Sequence, residues 1–321
     1  IKYALSQFGK VYATSGNFNN QIGVPLTLCR MDMSADYAVV EMGMSAKGEI
    51  EELVSYVRPD IAIVTNVYPM HIEFFPNFEG IAEAKAEIFK SLKQGGTAII
   101  NEDTNFASLL EKRALENGAK VVRFGKNDHP DVELKLQDNG EHNYYNAWCV
   151  LTLIKELGLD VKAAAEHLSG FGALPGRGAK YQLKLPQGGT YTLIDDSYSG
   201  QPEAMKIAIE TLSSQPTNRR KVVVLGKMAE LGDTSRTRHA EIGKVVAAST
   251  VDVVVGVCPE MKEMLAQVPD NKEKHYFENK DGLDEFLLNN LLQNNDIVLI
   301  KGARYSSKLY QVAESLIDKG K

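Results

Sequence analysis

Tyr37-Ala38-Val39-Val40-Glu41-Met42-Gly43 and Thr192-Leu193-Ile194-Asp195-Asp196-Ser197-Tyr198 are apolar runs that each stop on an acid. A strand buried on both faces carries β-branched and apolar residues continuously. In an open parallel α/β sheet, ligands sit beyond the carboxyl ends of the strands. An acid there is placed to hold a metal or a ribose hydroxyl. It is equally able to cap the helix that follows. Further strand-like runs span residues 61–66, 97–101, 121–124, 221–225, 252–256 and 296–301, with amphipathic stretches between most of them. That alternation is the pattern of βαβ units.

The middle of the chain breaks the alternation. Residues 125–142 are polar and hold one short alternating piece, Val132-Glu133-Leu134-Lys135-Leu136. Residues 143–157 and 161–168 then read as two consecutive helices. Gly170-Phe171-Gly172-Ala173-Leu174-Pro175-Gly176-Arg177-Gly178 follows, with four glycines and a proline in nine residues, and no helix persists there. We take it as an interdomain linker, with one domain over residues 1–173 and another over 174–321. The opening residues through Gly9 read as the second half of a helix whose start lies upstream.

With 321 residues there is length for two ordinary domains. A composition of 44% hydrophobic and 24% charged residues fits a globular protein. A net charge of -6 without a basic run gives no reason to expect nucleic acid as a partner. No apolar stretch approaches the roughly 18 residues of a membrane span, so no membrane insertion is expected. Cys29, Cys149 and Cys258 are far apart and odd in number, which suits a reducing compartment and a cytoplasmic location.

Several residues stand out chemically. Within a helix read over residues 80–92, Ile81, Ala84, Ile88 and Leu92 form one apolar face, and Lys85 lies in the middle of it. Such a lysine snorkels, finds a partner, or is chemically altered, and carbamylation would turn it from a cation into a metal-binding anion. His71 follows the 61–66 run after a short loop. It is either a surface histidine or, with Glu41 at the same sheet edge, part of a divalent-cation site completed by a phosphate-bearing substrate. Asn-rich segments surround Asn20 and Asn146. Turn and cap chemistry accounts for Asn143 and its kind, whereas Asn146 lies inside a helix, where its carboxamide could read an adenine edge. Arg177, between two glycines, is free to swing a guanidinium onto a phosphate. Lys301 and Arg304 follow the last strand as anion contacts or as a solvated basic turn.

Taken in order, residues 16–28 (GNFNNQIGVPLTL), 37–50 (YAVVEMGMSAKGEI), 63–75, 82–89, 142–147 (HNYYNA), 174–181 (LPGRGAKY), 193–205 (LIDDSYSGQPEAM), 222–235 and 299–304 (LIKGAR) resemble the ATP-dependent Mur ligases of peptidoglycan synthesis. The double Asn before Ile-Gly-Val-Pro and the Asp-Asp-Ser-Tyr run point to the D-alanyl-D-alanine-adding type. The resemblance implies an α/β protein: a mostly parallel, ATPase-type central sheet domain, N-terminally truncated, followed by a Rossmann-like domain. It implies ATP and Mg2+ as cofactors, and UDP-N-acetylmuramoyl-tripeptide and D-alanyl-D-alanine as substrates of a monomer. By position, Glu41 and His71 would bind magnesium, and Lys85 would be the lysine that is carbamylated. Asn146 would meet adenine, Asp196 the ribose and Arg177 the phosphates. Asn20 would support the nucleotide region.

The family's P-loop does not occur in the 321 residues, and the layout places it just before Ile1. The domain that holds the UDP moiety would lie further upstream, so the 321 residues alone are expected to be inactive. The stretch 124–142 is short for the family. Ser199-Gly200 stands where Asn-Ala is usual in the family, so the family's local substrate or nucleotide contact is not carried over to these two residues. Two rivals are another amide ligase of the superfamily, such as the diaminopimelate/lysine-adding or folylpolyglutamate type, and a non-catalytic nucleotide-binding protein.

Overall fold

The computed structural model describes residues 1–137, 140–215 and 218–321. The chain divides into two compact units, Ile1–Phe171 and Gly172–Lys321.

In the first unit, β1 (Val11–Ala13) pairs in parallel with β2 (Tyr37–Val39), and β3 (Ile61–Val64), β4 (Thr97–Asn101) and β5 (Lys120–Phe124) form a second parallel sheet in that order. Alternation along β4 builds two cores. Ala98 and Ile100 meet Ile81, Ala84 and Phe89 on one face. Ile99 faces Leu151, Ile154, Ala164 and Leu168 on the other, and Tyr37, Val39, Ile61 and Ile63 join that second core. The helices Glu141–Glu156 and Val161–Leu168 run consecutively, as the sequence suggests.

Some local expectations are corrected here. The opening helix is only Lys2–Leu5, and Gly9 lies beyond it, close against Asp36, which accepts from the Lys10 N–H at 2.8 Å. The lysine-bearing helix spans Phe78–Ala86 and tightens into a 3-10 turn, Glu87–Phe89, instead of running to Leu92. Asn77 starts it by accepting from the Gly80 N–H at 2.9 Å, a side-chain N-cap. Gly140, not Asn143, is the N-cap of Glu141–Glu156. The 132–136 stretch forms no strand, although Val132, Leu134 and Leu136 still pack on the core; alternation there serves burial without a partner strand.

The second unit is a six-stranded sheet in the order β10-β9-β8-β11-β7-β6. These strands are β6 (Ala179–Lys184), β7 (Thr190–Asp196), β8 (Lys221–Gly226), β9 (Val253–Val257), β10 (Glu273–Phe277) and β11 (Ile297–Lys301). All neighbours are parallel except β6, which runs antiparallel to β7 at one edge. Every residue of β8, β9 and β11 is buried, as strands covered on both faces require. Helices Pro202–Ser214, Ser235–Ala248 and Met261–Leu265 cover one face through Met205, Ile209, Ile242 and Met264. Leu283–Phe286, continuing as a π-type turn over Leu287–Leu291, and Leu309–Gly320 cover the other. The fold is α/β, with two parallel sheets in the first unit and a mixed six-stranded sheet in the second.

Candidate active site

Most candidate groups fall near strand ends, while Lys85 and Asn146 lie on helices. In the first unit, Glu41 lies two residues past β2 and is exposed. Its N–H donates to Thr14 Oγ1 at 2.9 Å, just beyond β1. Asn19 Nδ2 donates to Glu41 Oε1 at 2.8 Å, while the Asn19 carbonyl accepts from the Gly43 N–H at 2.8 Å. The carboxylate is therefore oriented by the loop after the neighbouring strand. Asn20, by contrast, is used locally: its Oδ1 accepts from the Gly23 and Ile22 N–H groups at 2.8 and 3.2 Å, opening helix Gly23–Cys29. Asn19, which the sequence reading passed over, is the residue on Glu41.

His71 sits after β3 with φ of 58°, a left-handed backbone uncommon outside glycine. It is coupled to Glu49. Burial opposes ionisation of that carboxyl, but the Ser45 and Ala46 N–H groups, the Gln21 side chain and the His71 charge outweigh it and hold Glu49 below the usual carboxylate range. Lys85 makes no hydrogen bond or ion pair among the described residues, and burial alone lowers its pKa below the ordinary lysine range. Half-buried in the apolar face, an amine with no anion beside it is costly as a cation. Asn146 lies on helix Glu141–Glu156 with its carboxamide exposed and unbonded among the described residues.

In the second unit, β7 ends in two acids that do different work. Asp195 is buried and ties down the start of the unit: Oδ2 accepts from the Gly176 N–H at 2.8 Å and Oδ1 from Ser197 Oγ at 2.6 Å. Asp196, one residue on, accepts from Lys301 Nζ at 2.7 Å. Lys301 closes β11 and is only 2% exposed, so it is no solvated basic turn. Gly176 and Gly178 both have positive φ (74° and 86°), which frees the exposed Arg177 between them from Cβ crowding. The Arg177 guanidinium lies 4.2 Å from the Tyr198 ring centroid. Tyr198 was missed as a contributor, and so was the Asp196 partner of Lys301, since strand placement sets both contacts.

Among the described residues, no three His, Cys, Asp or Glu groups gather closely enough to hold a metal by themselves. The sequence placed Glu41 and His71 at one sheet edge, but β2 and β3 belong to separate sheets, because β2 pairs only with β1 and β3 only with β4. A cation held by these two residues would take most of its shell from phosphate and water, which is how Mg2+ is usually held.

Comparison with known proteins agrees with this layout. Residues 1–147 match the Mur ligase middle domain, and residues 182–304 match the Mur ligase, glutamate ligase domain. The chain is 32% identical to the UDP-N-acetylmuramoyl-tripeptide--D-alanyl-D-alanine ligase of Escherichia coli over 98% of its own length and 73% of that protein's. Among solved structures, MurF from Acinetobacter baumannii superimposes with a TM-score of 0.86 at 26% identity, covering 99% of this chain and 72% of that one. MurF ligase from Thermotoga maritima, solved in complex with ADP, matches with a TM-score of 0.81 at 25% identity, covering 99% and 76%. Fold and site define an α/β enzyme with acids and cations at the carboxyl ends of its strands. The chain belongs to the Mur ligase family.

Proposed function

We propose that this chain is part of an ATP-dependent, ADP-forming ligase that joins D-alanyl-D-alanine to UDP-N-acetylmuramoyl-tripeptide in peptidoglycan precursor synthesis. The observation that carries the proposal is the half-buried Lys85, without a polar partner among the described residues, in a chain similar to that ligase over nearly its whole length. In the reaction, a carboxylate oxygen of the tripeptide attacks the γ-phosphorus of ATP, releasing ADP and leaving an acyl phosphate. The neutral amine of the dipeptide then attacks the acyl carbon, the tetrahedral intermediate collapses, and phosphate departs as the amide forms and the amine proton is lost.

The residues fit that sequence of charges. Burial keeps more of Lys85 as the free amine, the form that adds CO2 and releases a proton to become a carbamate anion. Glu41, held by Asn19, and His71 are the groups that would hold magnesium. When bound, that ion would neutralise phosphate charge, a large contribution in phosphoryl chemistry. Asn146 offers a donor and an acceptor to adenine, Asp196 offers its carboxylate to the ribose, and Arg177 supplies a permanent cation for phosphate.

The test is ADP release by the intact enzyme with the tripeptide nucleotide and a panel of radiolabelled amine acceptors. D-alanyl-D-alanine should be taken up far better than single amino acids. Preference for a diaminopimelate, lysine or glutamate acceptor would transfer the chain to another ligase type. Failure to turn over ATP with any acceptor would favour a nucleotide-binding protein without catalysis.

A further inference from the structure

Arg304 is not used by the reading above, yet its surroundings are unusual. It follows β11, is half-buried, and its guanidinium lies 4.2 Å from the Tyr310 ring centroid and 5.5 Å from that of Tyr198. Tyr198 is the same ring that Arg177 approaches at 4.2 Å. Two guanidiniums thus share one tyrosine, and neither has a carboxylate or any side-chain hydrogen-bond partner among the described residues. Lys301, three residues earlier, is by contrast neutralised by Asp196. Stacking engages the flat face of a guanidinium and leaves its N–H edge unspent. A half-buried cation of this kind, next to another, is relieved by an anion.

The two arginines differ in how firmly they are held. Arg177 sits on a glycine-flanked loop. Arg304 stands on a turn whose close packing fixes it: the Ala303 N–H donates to the Lys227 carbonyl at 3.0 Å and Ser307 Oγ donates to the Ala303 carbonyl at 2.8 Å. Of the anions in the proposed reaction, the transferred phosphoryl changes its charge and position. The C-terminal carboxylate of the incoming dipeptide does neither. A fixed, planar fork suits the constant one, and a carboxylate accepts two parallel N–H bonds from it.

We propose that Arg304, steadied between Tyr198 and Tyr310, binds the C-terminal carboxylate of the amine substrate; this rests on the function proposed above. An interaction equal in ground and transition states acts on KM and leaves kcat alone. The experiment compares D-alanyl-D-alanine with its C-terminal amide, in the intact enzyme and in Arg304→Gln and Arg304→Lys. The parent enzyme should show a KM about 10- to 100-fold lower for the acid than for the amide, the range of a charge-assisted hydrogen bond. Arg304→Gln should raise the KM for the acid by about that factor and erase the preference, with kcat at saturation and the KM for ATP unchanged. Arg304→Lys, which keeps the charge but not the fork, should fall between.

A preference for the acid that survives Arg304→Gln would overturn the assignment. So would an effect confined to kcat or to the KM for ATP, which would move Arg304 to the phosphate. If both variants fail to fold, an acid-to-amide ratio near one in the parent enzyme overturns it. A parent enzyme that takes up neither dipeptide, yet couples another amine, overturns the underlying function as well.

Discussion

Lys85 concentrates the residue-scale chemistry. Its depressed pKa means that, below the ordinary lysine range, the unfolded chain binds a proton that the folded chain binds less readily. Stability associated with this group is therefore complete at alkaline pH and is lost as pH falls towards the folded value. Lys85→Met should flatten that dependence in melts followed across pH. Lys85→Ala should nearly abolish turnover while the fold persists, because alanine suits both helix and apolar face. Bicarbonate should raise the activity of the parent enzyme, and formate or acetate should restore part of the mutant's by replacing the missing anion. A fully active Lys85→Ala would return the residue to an ordinary snorkelling lysine. Glu41→Ala and Asn19→Ala form a second pair of tests. Losing the carboxylate should slow turnover by about 100-fold or more, the scale of a major electrostatic stabiliser. Asn19→Ala should cost less, because it removes only the hydrogen bond that orients Glu41. Equal rates for Glu41→Ala and the parent, measured over a magnesium titration, would remove Glu41 from the metal site.

Turns matter most among the elements. A Cβ built on Gly200 would lie 2.2 Å from the Ala303 nitrogen, backbone against backbone, so the turn after β7 and the turn after β11 touch only because glycine stands there. Gly200 thus stands at a close approach of two turns that bear candidate site residues. Gly200→Ala should cost about 1–3 kcal/mol, as overpacking does, and should raise KM values by shifting Arg304. An unchanged melting temperature would show that the turns yield freely. The turn after β8 has a different lock. His239 is fully buried, its Nε2 accepts from the Met228 N–H at 3.0 Å, and its Nδ1 lies 2.7 Å from the Ser235 carbonyl. Burial lowers its pKa, so stability tied to His239 is intact above the ordinary histidine value of about 6.5 and declines as pH falls through the folded one. Melts between neutral and mildly acidic pH should show that decline in the parent and lose it in His239→Gln.

At the scale of the whole molecule, each unit has its own pair of cores, and the chain crosses from one to the other once, between Phe171 and Gly172. A cavity in one should not empty the other. Leu299→Ala, in a position 2% exposed within the second unit, should destabilise that unit by about 2–5 kcal/mol. Calorimetry should then show one transition moving down while another stays. A single transition that moves as a whole would mean that the two units unfold together.

Local pattern was enough for the α/β class, for most strands and for the chain's order of motifs, because burial on two faces writes an apolar run directly into a strand. The Gly176-Arg177-Gly178 step was legible for a similar reason: glycine takes the positive φ found on both sides without steric cost. Edge strands were not legible. β10 opens Glu273-Lys274-His275 and β6 alternates lysines with buried residues, since an edge faces water and needs no apolar run. Nor was the choice between adjacent residues: Asn19 and Asn20 are chemically identical, and the turn alone sends one to Glu41 and the other to a helix start. Lys301 meets Asp196 because β11 lies beside β7 in register, and the same strand placement brings Arg304 to Tyr198. Such pairings join residues about a hundred positions apart. Periodicity carries information over a few turns of chain; which strand ends become neighbours is decided by the packing of the whole sheet.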